Sequence, residues 1–347
     1  MIPDMNKESD LYKTACLLAG ESSFGEIADI HAIRGGANNR VYRVENGNRK
    51  AFLKVYFTHP SDPRNRLDAE FSFIRFVWDN GVRTIPEPLA CDREKGIALY
   101  EWIEGRPLMP QEMTEAHVQQ ALEFFTSLNE FKNKAHHIDS ASEACFSLAE
   151  HIGVVDKRIE RLLCVKGQSE ADFAAARFVK AELGPAWDKT RESVIKEMQR
   201  EGWVVNAILP LSDRRLSPSD FGFHNALLTD GGAMKFIDFE YAGWDDPAKT
   251  VCDFFCQPQV PVPLSFFDMS VEAVLATVVE KDRHRRRISA LFPVYQFKWC
   301  CIVMNDFLTA GSERRRFADN NMDWEKRKME QLSKAVDMLK NIRITLS

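Results

Sequence analysis

One stretch constrains this chain more than any other: Leu216-Ser217-Pro218-Ser219-Asp220-Phe221-Gly222-Phe223-His224-Asn225-Ala226-Leu227-Leu228, followed shortly by Phe236-Ile237-Asp238-Phe239-Glu240. An acid at Asp220, an amide at Asn225, an apolar Ala226-Leu227-Leu228 run, an Asp230-Gly231-Gly232 turn and a second acid at Asp238 read as loop, hairpin, loop. Three polar groups then converge at one end of a short hairpin.

Phosphoryl transfer asks for those residue types. It needs a carboxylate to orient the acceptor hydroxyl and oxygen ligands for the magnesium that bridges the phosphates. Magnesium is hard and prefers oxygen, so Asn225 and Asp238 suit it where a thiol would not. A kinase-type pattern of Asp, then Asn five positions on, then Asp-Phe is met by Asp220, Asn225 and Asp238-Phe239. Taken singly, an Asp and an Asn at this spacing mean only a capped turn. The hydrophobic hairpin and the Asp-Phe behind them turn the reading toward chemistry.

From Ser217 to Asp253, around Ile237-Asp238-Phe239-Glu240-Tyr241-Ala242-Gly243-Trp244 and Asp245-Asp246-Pro247-Ala248, the chain resembles the aminoglycoside phosphotransferase and choline kinase superfamily. The Ile-Asp-Phe-Glu-Tyr wording is similar to its choline/ethanolamine kinase branch. The resemblance implies Asp220 as catalytic base and Asn225 and Asp238 as magnesium ligands. It also implies that an acid after the Asp-Pro-Ala step, here Asp253, braces the catalytic loop. The superfamily usually has His two residues before the catalytic Asp, and Pro218 stands there in this chain.

The 347 residues, 45% apolar, suffice for a large core and suggest two lobes. A net charge of -5, without a long single-sign block, points away from nucleic acid. Arg283, Arg285, Arg286 and Arg287, and Arg314 to Arg316, are local basic clusters that read as solvated helix ends. Eight cysteines lack a Cys-x2-Cys spacing, as do His136, His137 and His151 any matching ligand cluster, so zinc is not expected. The opening residues have no signal-peptide core, and no stretch approaches the roughly 18 apolar residues of a membrane span. The expectation is a cytoplasmic protein, without a membrane or nucleic-acid partner, as monomer or homodimer.

The first hundred residues read as strands with one helix. Arg40 to Val44 and Lys50 to Phe57 are strand-like runs joined at Glu45-Asn46-Gly47-Asn48, a hairpin signal. Gly35, Gly36 and Asn38 precede the first of them, where a backbone of small residues suits ATP phosphates, although Gly-Gly also marks an ordinary turn. Lys54 interrupts the apolar run Ala51 to Phe57, and its ammonium needs a partner. Leu67, Phe71, Ile74 and Trp78 follow helical spacing, and Glu70 lies on the same face. A buried ammonium and a buried carboxylate are costly singly and sensible as a pair. A Lys snorkelling from an edge strand with a Glu on a helix flank is the simpler alternative. The resemblance gives Lys54 and Glu70 the ATP-phosphate-holding roles and places adenine against the backbone of Glu101, Trp102 and Ile103, where the last strand of this lobe runs into the hinge.

From Pro110 on the chain turns helical. Val118, Ala121, Leu122, Phe125 and Leu128 trace one helix face, and Ile159, Leu162 and Leu163 suggest another. Gly184-Pro185 reads as a break between two helices, and Ala273 to Val279, Ile288 to Leu308 and Asp323 to Ile342 as further helices. Met329, Leu332, Val336 and Leu339 have the spacing of a seam, either between subunits or within one lobe. Tyr241, Trp244, Trp299 and Phe307 are candidate acceptor-pocket aromatics that would suit a cationic amine, or else plain core. The expected fold is α+β and protein-kinase-like: a nucleotide-binding lobe over 1–104, with an antiparallel sheet and one helix, and a mostly helical catalytic and acceptor-binding lobe over 105–347. The expected activity is transfer of the γ-phosphoryl group of ATP, with Mg2+, to a hydroxyl of an amino alcohol, sugar or aminoglycoside-like molecule. No Ala-Pro-Glu segment follows Asp238, which counts against a protein substrate. Pro218 leaves a second class open, a kinase-fold binding protein without transfer activity.

Overall fold

Alternating burial builds the front of the molecule. A computed structural model describes residues 5–33, 39–47, 49–58, 64–308 and 323–345. Five antiparallel strands lie in the order β1 (Asp29–Ile33), β2 (Arg40–Asn46), β3 (Arg49–Val55), β5 (Ile97–Glu101) and β4 (Pro88–Asp92). The β2–β3 hairpin turns where Asn46 pairs with Arg49, and Gly47 takes the positive φ of 58° that such a turn requires. Along β3 and β5, Ala51, Leu53, Ile97 and Leu99 pack on a helix α1 (Met5–Glu21) through Ala15, Leu18 and Ala19. The alternate residues, Phe52, Tyr56, Ala98 and Tyr100, join Phe71 and Ile74 of α2 (Arg66–Asp79) in the larger core. Both faces of β3 are therefore covered, and Lys54, opposite Val41 and Ala98, is inside.

Two short hairpin systems follow. β6 (Arg106–Pro107), β8 (Ala226–Leu228) and β9 (Met234–Phe236) form one small sheet, and β7 (Arg215–Ser217) pairs with β10 (Gly243–Asp245) in another. Phe124 of α3 (Glu115–Glu130) stacks on Phe236 with ring centres 4.5 Å apart, and Phe221 stacks on Phe254 of α7 (Pro247–Cys256). The acid-bearing loops are thereby set on an aromatic floor. After α8 (Phe267–Val274), α9 (Lys281–Val303) packs behind them against α7, α4 (Leu148–Leu163), α6 (Gly184–Arg200) and α10 (Trp324–Thr345).

Several expectations need correction. The front lobe carries two helices, since α1 adds a second layer; its buried face consists mainly of small alanines, which give a faint periodic signal. Gly184-Pro185 does not separate two helices: α5 (Glu170–Phe178) passes through a π-helical turn, Val179–Leu183, straight into α6, whose first turn tolerates the proline. Leu163 is 51% exposed, while Ile152, Val155, Ile159 and Leu162 form the buried face of α4. Leu332 and Leu339 of the seam are buried within this chain, where α10 meets α9 and α5. Arg283, Arg285 and Arg286 form separate exposed ion pairs, but Arg287 is buried on Asp246. Gly35, Gly36, Asn38 and Arg314 to Arg316 lie outside the described residues.

Candidate functional site

Lys54 joins the sheet to the hairpin loops. Its side chain is 5% exposed, and its Nζ is 2.7 Å from Glu70 Oε2 and 2.6 Å from Asp238 Oδ1. Desolvation works against the ammonium, but Asp238 and Glu70 outweigh it and hold the lysine well above its ordinary pKa. Glu70 is fixed in turn. The Tyr56 hydroxyl donates to Oε2 at 2.7 Å, and the Phe239 N–H donates to Oε1 at 3.1 Å. The front helix therefore holds both the lysine and the backbone next to Asp238.

Asp238 adopts a left-handed φ of 65°, which Asp tolerates better than most side chains. Bonds on either side hold it there: Ile237 N–H to the Asn225 carbonyl at 2.9 Å, and Phe239 N–H to Glu70. Glu240, fully buried, accepts from Asn39 Nδ2 and Arg66 Nη1, both at 2.7 Å. Three carboxylates, Glu70, Asp238 and Glu240, thus surround one ammonium and one guanidinium. Desolvation pushes Asp238 up to about 6, with Lys54 opposing the rise and Glu240 and Glu70 adding to it. Such an excess of negative charge suits a divalent cation.

The donor set fits magnesium. Asp238 is 37% exposed, and Asn225 spends its Nδ2 on the Asp220 carbonyl at 3.0 Å while its Oδ1 accepts no hydrogen bond among the described residues. Both offer hard oxygen, and magnesium commonly takes one or two carboxylates together with phosphate oxygens. Among the described residues no group of three or more His, Cys, Asp and Glu side chains could hold a metal by itself.

Asp220 sits in the loop after β7, its side chain 32% exposed. His224 Nε2 lies 3.1 Å from Asp220 Oδ1. Desolvation would raise the Asp220 carboxyl, but His224 beside it holds it below the usual range. The same contact raises His224 against the lowering effect of its own burial. Ser219, just before the acid, has a positive φ of 65°. Such backbone costs about 1–3 kcal/mol and persists only when its surroundings over-determine it.

Those surroundings are a buried charge network. Lys249 Nζ donates to Ser219 Oγ at 2.7 Å and pairs with Asp245 at 2.8 Å and Asp253 at 3.2 Å. Asp253 also takes Lys298 Nζ and Trp299 Nε1. The acid is in the last turn of α7 and not at a helix start; Asp246 is the residue that caps this helix, through Ala248 N–H. Asp253 reaches Ser219 through Lys249.

At the hinge, the Glu101 N–H donates to the Glu87 carbonyl at 2.8 Å. Trp102 and Ile103, next along the hinge, make no backbone–backbone hydrogen bond among the described residues. Among the described residues no ring contact joins the four candidate aromatics. Trp299 packs beside His224, Tyr241 beside Arg64 and Arg66, Trp244 donates its ring N–H to Ala135, and Phe307 lies by Lys328. Sequence reasoning passed over Tyr56, Arg66, Glu240, Lys249 and His224. Only His224 and Glu240, inside the stretch that organises the chain, carried a local signal.

A five-stranded sheet and one helix holding a lysine, set over a helical lobe whose hairpin loops carry the acids, define a protein-kinase-like bilobal α+β fold. A spectinomycin phosphotransferase solved with ADP and spectinomycin has this fold at a TM-score of 0.63 and 15% identity, over 96% of this chain and 98% of that one. The choline kinase of Streptococcus pneumoniae follows it at 0.59 and 16%, over 97% and 99%. A choline/ethanolamine kinase family protein of Mesorhizobium loti does so at 0.58 and 16%, over 98% and 99%. The chain belongs to the phosphotransferase enzyme family, which it matches over residues 29–256. No curated protein matches it in sequence.

Proposed function

We propose that this protein is an ATP- and magnesium-dependent kinase of small molecules, moving the γ-phosphoryl group to a hydroxyl of an amino alcohol, sugar or aminoglycoside-like acceptor. The observation that carries the reading is Lys54 Nζ, 2.7 Å from Glu70 and 2.6 Å from Asp238, with Asp220 and Asn225 on the loop before the same hairpin. Residues 1–104 form the nucleotide lobe and 105–347 the catalytic and acceptor lobe. Lys54, held by Glu70, meets the α- and β-phosphates, and the backbone of Glu101, Trp102 and Ile103 meets adenine. Gly35, Gly36 and Asn38 belong to the phosphate-covering segment.

Asn225 and Asp238 would hold Mg2+, which supplies charge compensation to the phosphates. Asp220 orients the acceptor hydroxyl through the carboxylate oxygen that His224 leaves free. The hydroxyl oxygen bonds to the γ-phosphorus, its proton passes to Asp220, and the bond to the bridging oxygen breaks to release ADP. A loose transition state asks more for alignment than for a strong base, so a carboxylate held at low pKa suffices. The protein works in the cytoplasm as monomer or homodimer.

Thermal shift with and without magnesium-ATP, followed by phosphate transfer across a panel of amino alcohols, sugars and aminoglycosides, tests this reading. Stabilisation by magnesium-ATP with transfer to one acceptor class is expected. Stabilisation without transfer to any hydroxyl would favour a kinase-fold binding protein, and no stabilisation at all would remove the nucleotide.

A further inference from the structure

The proposed nucleotide contacts leave His224 without a role, yet its side chain is only 7% exposed and touches the reacting loop. Gly222 makes room for the ring, since a β-carbon there would stand 2.8 Å from His224 Nδ1. On another side the Trp299 indole meets the imidazole edge-on, with centres 6.3 Å apart at 85°. Trp299 is anchored by Nε1 to Asp253 Oδ1 at 2.7 Å, and Asp253 by both of its oxygens to Lys298. The ring is thus fixed by packing rather than by a hydrogen bond at Nδ1, which is buried and unpartnered. Nε2 faces Asp220 Oδ1 at 3.1 Å. A ring nitrogen with a carboxylate partner, opposite one with none, carries the hydrogen.

Asp220 has no comparable support from the preceding side. Pro218 has neither a backbone N–H nor a side-chain donor, and Asn225, which donates to the Asp220 carbonyl at 3.0 Å, steadies the carboxylate less than His224 does. We propose that His224 is a positioning residue: its Nε2–H fixes Asp220 Oδ1 so that the second carboxylate oxygen is presented to the acceptor hydroxyl. The proposal rests on Asp220 as the acceptor-orienting acid, but the contact itself can be read without any reaction.

The full chain, with 15N-labelled histidine and no ligand, gives the first reading. Long-range proton–nitrogen NMR should show the His224 signal, identified by its loss in His224→Gln, with hydrogen on Nε2, and Asp220→Asn should shift it. A ring protonated on Nδ1 alone, or a signal indifferent to Asp220→Asn, overturns the proposal. The second reading uses whichever hydroxyl acceptor of the panel wild type phosphorylates. His224→Leu should lower kcat roughly 10²-fold, the size expected when a reacting group is misplaced by about 1 Å, with KM for ATP unchanged. His224→Gln, whose amide can donate from the place of Nε2, should recover most of that loss. Full turnover in His224→Leu, or equal loss in both variants at unchanged melting temperature, also overturns it. Should wild type phosphorylate nothing, the kinase reading fails, and the NMR result still decides whether His224 holds Asp220.

Discussion

Lys54 and Asp238 are 184 positions apart and meet at 2.6 Å, with Glu70 closing the other side of the ammonium at 2.7 Å. One cation thus pairs with two carboxylates and ties the sheet to the loop after β9. Lys54→Met would leave Glu70 buried without its charge partner. Breaking a buried pair in this way costs about 3–5 kcal/mol, and urea unfolding of the variant should show a loss of that order. Calorimetry should also show weakened ATP binding. A variant as stable as wild type with undiminished affinity would dismiss the pair as a structural hub.

Asp220 is tied to its loop by backbone bonds that a change of side chain leaves intact, among them its own N–H to Pro218 O at 2.8 Å and Asn225 Nδ2 to its carbonyl. Asp220→Asn keeps the shape and removes the proton-accepting oxygen. Transfer should fall by about 10²–10⁴-fold, the usual worth of a positioned acid or base, while nucleotide affinity stays constant. ADP release in a coupled assay measures the first quantity and calorimetry the second. Unchanged turnover would take Asp220 out of the reaction.

The parts of this site legible in the sequence are those where one residue type alone creates a problem. A lysine in an apolar strand and a glutamate on an apolar helix stripe each need a partner, so Lys54 and Glu70 name each other before any fold is known. Asp220, Asn225 and Asp238 were readable for another reason, a fixed spacing around a short hairpin. By contrast Arg66 and Arg287 look like surface residues until residues distant in sequence surround them: Arg66 meets Glu240, 174 positions on, and Arg287 meets Asp246. The helix α1 was hidden by its composition, because Ala15 and Ala19 bury completely yet add little hydrophobic contrast. The brace on Ser219 was hidden by its route, since Asp253 meets Ser219 through Lys249.

That brace can be tested. Lys249 Nζ is buried among Asp245, Asp253 and Ser219 Oγ, and desolvation, which alone would lower its pKa, is overcome by the two carboxylates. Lys249→Met removes the charge and frees Ser219 to leave its left-handed backbone. Two effects should separate. Stability should drop by about 3–5 kcal/mol, and turnover should fall even at temperatures where the variant is fully folded, because Asp220 follows Ser219. Circular dichroism melts beside kcat would record both, and full turnover in a folded variant would sever the loop from its brace.

Glu143 gives the acid limb of stability. It is itself left-handed, with φ 61°, on a loop whose Ser142 carbonyl accepts from Ser219 Oγ, and Arg158 Nη2 meets both of its carboxylate oxygens. Desolvation alone would raise the carboxyl, but Arg158, with Lys298 and Lys249 further off, brings it down to about 2. A carboxyl lowered on folding adds stability that is complete above its ordinary pKa near 4.5 and lost as pH falls toward 2. Because the Glu143 side chain is 40% exposed, solvent screening leaves this contribution at about 1 kcal/mol or less. Arg158→Leu should therefore differ most from wild type at pH 7, and the gap should narrow between pH 5 and 2, the window set by that shift. The part of the loss that comes from missing packing stays constant with pH and is what remains at the acid end. Urea midpoints of both proteins at pH 7, 4 and 3, repeated in high salt, resolve the two parts, since salt weakens the ion pair and not the packing. A gap that stays flat, or widens toward acid, would mean that Arg158 does not hold Glu143 ionised.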